Sequence, residues 1–159
     1  MERVTSFFQL GMDSDPVSST TQAEERLVPE ALAPARKDFF IERHGLRFAG
    51  IHLIVDLYEA ERLDDMACVE AALRDCVEAA DATLLHIHLH HFTLNGGISG
   101  VAVVAESHIS VHTWPECGYA AFDVFMCGDA DPRRTIEVLR RAFRPARVAV
   151  SEHLRGYAE

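Results

Sequence analysis

Lysine is nearly missing from this chain: Lys37 is the single one, in a polar stretch outside the expected core. A mechanism that needs a buried lysine, such as a Schiff base to pyridoxal phosphate, therefore has no candidate residue. Basic charge is scarce altogether. Lys and Arg number 15 against 25 Asp and Glu, for a formal net charge of -10. That balance argues against the basic face of a nucleic-acid binder and suits a cationic substrate. No apolar run approaches the ~20 residues of a membrane span, and Phe7-Phe8-Gln9-Leu10 is far too short for a signal peptide. Cys68, Cys76, Cys117 and Cys127 form no Cys-x-x-Cys pair and no disulfide framework. Without a secretory signal, the expectation is reduced thiols in a cytoplasmic protein, with neither nucleic acid nor membrane as partner. P-loop, dinucleotide-binding, Gly-x-Ser-x-Gly and His-Glu-x-x-His motifs are also lacking.

What is present fits one domain behind an extension. The length of 159 residues allows a single sizeable core. Residues 1–43, rich in Ser, Thr, Pro, Ala and Glu, read as a disordered extension, with at most a short helix near 21–32. The domain is expected over 44–159. Gly50–Leu57 is β-rich and apolar on both faces, as in a strand inside a sheet. Over Asp64–Ala80, the residues Met66, Val69, Leu73, Cys76 and Val77 recur at helical spacing, with Cys68 off that stripe. Thr83–Phe92 reads as a strand, Asn95-Gly96-Gly97 as a hairpin turn and Gly100–Ala105 as the returning strand. Two short strands follow at His108–Trp114 and Tyr119–Met126. Asp131-Pro132 then opens a second helix, with Ile136, Leu139 and Phe143 inward, and Arg147–His153 closes the chain as a strand. The order β-α-β-β-β-β-α-β, rich in hairpins, predicts an α+β fold: a two-layer α/β sandwich with a mostly antiparallel sheet and two helices on one face.

Chemistry-bearing residues concentrate between 97 and 128. Ser107 follows Glu106, with His112 five residues on and Cys127 twenty residues on, all in strand-like segments. Nucleophile, base and acid types thus share a rigid platform. A strained peptide bond before a serine is where an N-to-O acyl shift can occur, the hydroxyl attacking the preceding carbonyl. Regular alternation puts Ser107 and His112 on opposite faces of one strand, so a bend near Glu106-Ser107 is needed to bring them to one site. Near neutral pH an ordinary imidazole (about 6.5) serves as a base and an ordinary thiol (about 8.5) as an acid. Each residue type alone is common in plain cores. A competing constellation is His86, His88 and His90 on one face of the third expected element, beside His91. His-x-His on a strand suits zinc, but no nearby Cys or acidic residue completes the set, so a metal-binding, non-enzymatic module stays the lesser alternative.

The stretches Gly97-Ile98-Ser99-Gly100-Val101, Glu106-Ser107-His108-Ile109-Ser110-Val111-His112-Thr113-Trp114-Pro115-Glu116 and Tyr119–Gly128 closely resemble the self-processing core of prokaryotic S-adenosylmethionine decarboxylase proenzymes. The looser resemblance spans about Gly50 to Arg155. It implies autocatalytic cleavage between Glu106 and Ser107 into a β chain (1–106) and an α chain (107–159). It implies that Ser107 becomes a covalent pyruvoyl group, which forms a Schiff base with the substrate, that His112 is the processing base with Ser99 assisting, and that Cys127 is the proton donor. The implied substrate is S-adenosylmethionine, with Trp114, Glu116 and Phe92 as binding residues. The implied product is the aminopropyl donor of spermidine biosynthesis, and the implied assembly is a homodimer of processed protomers. A pyruvoyl-dependent arginine or ornithine decarboxylase is the alternative within the same chemistry. Three features depart from the pattern: a Phe92-to-Gly97 loop one residue longer, the extra thiol of Cys117, and the long N-terminal arm.

Overall fold

The computed structural model describes residues 39–157. The expected extension, with its short helix near 21–32, lies outside the described residues up to position 38. The described strands are β1 (Ile41–Arg43), β2 (Leu46–Tyr58), β3 (Leu84–His91), β4 (Ile98–Val104), β5 (Ser107–Trp114), β6 (Tyr119–Cys127) and β7 (Arg147–Tyr157). The helices are α1 (Met66–Ala79) and α2 (Thr135–Phe143). Strands pair antiparallel throughout, in the order β7-β2-β6-β5-β4-β3. The α+β fold class is as expected, a mostly antiparallel sheet with two helices.

One boundary needs correction. The domain begins before residue 44, because β1 pairs with β2 through Ile41 and Phe48. Gly128 N–H also donates to the Phe39 carbonyl at 3.0 Å. The turn between β1 and β2 is His44-Gly45, with φ of 53° and 77°. Positive φ at both central residues is the type I′ hairpin requirement, which glycine meets readily.

Alternation sorts β2 into two faces. Ile51, Leu53, Val55 and Leu57 are buried in one core with Val69, Leu73, Cys76 and Val77 of α1 and Val138, Leu139 and Phe143 of α2. Full burial of such side chains contributes about 1.5–3 kcal/mol each. Asp65 caps α1 by accepting the Cys68 N–H at 3.0 Å, and Asp131 accepts from Arg133 N–H at 3.2 Å in the 3-10 turn that leads into α2. Cys68 corrects the expected stripe. It is buried, with its thiol toward the Ala142 carbonyl at 3.8 Å, because α1 packs against α2 as well as the sheet. Gly100 lets β3 come close to β4: a Cβ there would collide with the Leu89 side chain and the His88 carbonyl.

Among the described residues no helix covers the opposite sheet face. It presents His52, Ile54, Asp56 and Tyr58 from β2, His108, Ser110, His112 and Trp114 from β5, and Phe125 and Cys127 from β6, none of them fully buried. Every candidate residue on these strands except Ser107 follows from that alternation.

Candidate active site

The first cluster forms where the β4–β5 hairpin meets the end of β6. Ala105 N–H donates to the Thr83 carbonyl at 2.9 Å, and Thr83 N–H donates to the Glu106 carboxylate at 2.9 Å. The hairpin tip is thereby tied to the start of β3. The Glu106 carbonyl accepts the Cys127 N–H at 3.0 Å. Ser107 follows at φ 147°, a region that non-glycine residues avoid and that costs on the order of 1–3 kcal/mol. Its hydroxyl lies 3.1 Å from His108 Nδ1, so the distortion turns it from its alternation position toward the uncovered face. Burial, and secondarily the Glu106 carboxylate, push the Cys127 thiol above its ordinary value. The thiol therefore stays protonated near neutral pH.

The second cluster lies at the far end of β4 and β5. Ser99 Oγ and His112 Nε2 are 2.9 Å apart, placed opposite each other by register. The His112 ring stacks on Trp114 at 5.4 Å, and Trp114 meets Tyr119 at 5.2 Å. His112 and Trp114 border a cleft of about 570 Å³ lined also by Phe92, Leu94 and Asn95. Phe92 is held edge-on against His90 at 4.7 Å. Asn95 Nδ2 donates to the Glu116 carboxylate at 3.4 Å, joining Glu116 to the cleft wall. Under the cleft floor, Thr113 Oγ1 accepts from Ile98 N–H at 2.8 Å and donates to the Leu63 carbonyl at 2.7 Å.

The bend expected near Ser107 exists, but it does not unite Ser107 with His112. They sit at opposite ends of β5, five residues and therefore about 17 Å apart at ~3.3 Å per residue. Ser107 and Cys127 form one group; Ser99, His112, Trp114, Phe92 and Glu116 form the other. Sequence reasoning missed the Ser107–His108 contact and Asn95, because neither a one-residue spacing nor a loop amide carries a periodic signal. His86, His88 and His90 project from an edge strand, and among the described residues no group of three His, Cys, Asp or Glu is arranged to hold a metal ion.

Between the two clusters, on the uncovered face, lies a polar network. Asp123 contacts His52 at 3.3 Å and accepts from Ser110 Oγ at 3.3 Å. Tyr119 donates to Asp56 at 2.6 Å. That hydrogen bond, followed by burial, pushes the Tyr119 phenol up to about 12.

Residues 51–156 match the family model described as S-adenosylmethionine decarboxylase. The chain belongs to the S-adenosylmethionine decarboxylase family. Among its relatives, the S-adenosylmethionine decarboxylase proenzyme of Thermomicrobium roseum is 45% identical over 112 residues, covering 70% of this chain and 97% of the relative. The proenzyme of Methanococcus aeolicus is 43% identical over 114 residues, with coverage of 70% and 97%. The crystal structure of the adenosylmethionine decarboxylase from Aquifex aeolicus superposes with a TM-score of 0.64 at 34% identity, over 70% of this chain and 94% of that one. The family domain thus coincides with the sheet and helices that carry both clusters.

Proposed function

We propose that this protein is a proenzyme that cleaves itself between Glu106 and Ser107 and then decarboxylates S-adenosylmethionine. The observation that carries the reading is the junction itself, a serine at φ 147° whose preceding carbonyl accepts the Cys127 N–H at 3.0 Å. An acyl shift from nitrogen to Oγ relieves that strain, and the Cys127 N–H is aimed at the oxygen on which charge develops. His112, oriented by Ser99, is assigned the removal of the α-proton of residue 107, with Glu106 departing as a carboxylate. Addition of water and loss of ammonia leave a pyruvoyl group at the head of chain 107–159, with 1–106 as its companion. That ketone supplies the electron sink for losing carbon dioxide from an α-amino acid. Cys127, kept protonated, returns a proton to the α-carbon.

The separation of the two clusters favours a homodimer. A second copy laid face to face, with its β5 running antiparallel, would bring the His112 end of one chain to the Ser107 end of the other. The uncovered face supports this with exposed apolar side chains at Ile54, Val103 and Trp114. In such a pair the cleft of one protomer serves the reactive group of its partner. Trp114 and Phe92 offer aromatic faces to the sulfonium and adenine, worth about 0.5–2 kcal/mol for each cation–π contact. Glu116 is suited to the ribose hydroxyls. No described helix is long and apolar enough to cross a membrane; the proposed product serves polyamine synthesis, and the reading places the enzyme in the cytoplasm.

Intact-mass spectrometry tests the reading. The wild-type protein should resolve into chains 1–106 and 107–159, the latter carrying a pyruvoyl terminus, while Ser107→Ala remains one inactive chain. Carbon dioxide release should be seen with S-adenosylmethionine and not with arginine or ornithine. An unbroken wild-type chain after prolonged incubation would remove the self-processing reading.

A further inference from the structure

We propose that His108 is the base that starts the cleavage, taking the hydroxyl proton of Ser107 as its oxygen attacks the Glu106 carbonyl carbon. The inference rests on the self-processing reading and assigns a step that His112 does not reach from within the same chain. His108 Nδ1 lies 3.1 Å from Ser107 Oγ, inside the range in which a general base acts. With its proton on Nε2, the imidazole accepts from the hydroxyl through Nδ1. The ring is also held in place. It meets Phe125 edge-on at 6.1 Å, and Phe125 is packed in turn by His52 at 5.6 Å and by the Arg155 guanidinium at 5.0 Å from the ring centre. The backbone distortion at Ser107 has a role in this arrangement, since it turns the hydroxyl toward an adjacent residue that regular alternation would put on the other face.

The step balances within the chain. The Ser107 Oγ–H proton passes to His108 Nδ1 while the Oγ–C bond to Glu106 forms, and the resulting oxyanion accepts the Cys127 N–H. The C–N bond then breaks, and the protonated His108 returns its proton to the Ser107 nitrogen. Amide has become ester with nothing gained or lost. His112 is left with the later elimination, which gives the two histidines of β5 separate steps.

Hydroxylamine separates those steps, because it cleaves an ester at residue 106 without any elimination. Purified His112→Ala proenzyme should accumulate the ester. On treatment it should give a Glu106 hydroxamate and an α chain beginning with unmodified serine, both read by mass. His108→Asn keeps an acceptor near the Nδ1 position but has no basic nitrogen. It should fold with an unchanged thermal midpoint and form hydroxylamine-sensitive ester roughly 100-fold more slowly, a typical loss for a general base. His108→Ala should recover part of its cleavage rate in added imidazole. His108→Asn forming ester at the wild-type rate, or folded His108→Ala showing slow cleavage that imidazole leaves unchanged, would overturn the assignment while leaving self-processing intact. A wild-type chain that never cleaves would remove the parent reading instead.

Discussion

At the scale of single residues, chemistry depends on small departures from regularity. Ser107 departs from strand alternation through one positive φ, and that torsion both strains the Glu106–Ser107 junction and sets the hydroxyl against His108. Cys127 needs no such departure: it lies on the uncovered face by ordinary alternation, and burial keeps its thiol protonated. The sign of that shift sets a pH expectation. In the proposed proton-donor role the acid form is the active one, and its pKa is raised, so decarboxylase activity should decline only above the ordinary thiol range of about 8.5. A pH–kcat profile checks this, and a falling limb centred below that range would contradict it. Cys127→Ala should still process, because the Cys127 backbone N–H remains, yet its kcat should fall on the order of 100-fold. Steady-state assays on the processed variant measure that split. The residue types at 107, 112 and 127 were legible from their order along the chain. The Ser107–His108 contact was not, since it depends on a torsion angle that no residue type specifies.

At the scale of elements, β5 organises the molecule. Hairpins to β4 and β6 fix its register on both edges, and its two ends carry the two clusters. Alternation puts Thr113 on the inner side of the strand that bears His112 and Trp114 on the outer side. Its buried hydroxyl joins β4 to the segment before α1, through Ile98 N–H and the Leu63 carbonyl. Thr113→Val keeps the shape and leaves both backbone groups unpaired. It should cost about 1–3 kcal/mol, measured by urea denaturation, and should raise KM through a loosened cleft floor while leaving cleavage at Ser107 in place. The elements themselves were largely readable from periodicity, with ends displaced by a few residues. β1 escaped notice because its Ser- and Pro-rich neighbourhood masked a three-residue strand whose only cue was the His44-Gly45 turn. The burial of Cys68 escaped because helical spacing describes one buried stripe, whereas α1 is covered by both a sheet and a second helix.

At the scale of the whole molecule, the proposed two-copy site makes a prediction that single-chain activity cannot imitate. Ser107→Ala and His112→Ala should each fail to complete processing alone. Co-expressed, they should form a mixed dimer in which an intact Ser107 meets an intact His112, so that part of the His112→Ala chain is cleaved and gains a pyruvoyl terminus. Mass spectrometry of the mixture reads this directly, and no cleavage in a demonstrated mixed dimer would confine the site to one chain. By itself the sequence determined the class of fold and the order of the candidate residues, because apolar periodicity and residue chemistry are both written locally along the chain. Which of those residues meet was decided only by the tertiary structure. Strand rise holds Ser107 and His112 apart on one rigid element, while sheet register joins His112 to Ser99 and the Cys127 amide to the Glu106 carbonyl, and no linear spacing contains either fact.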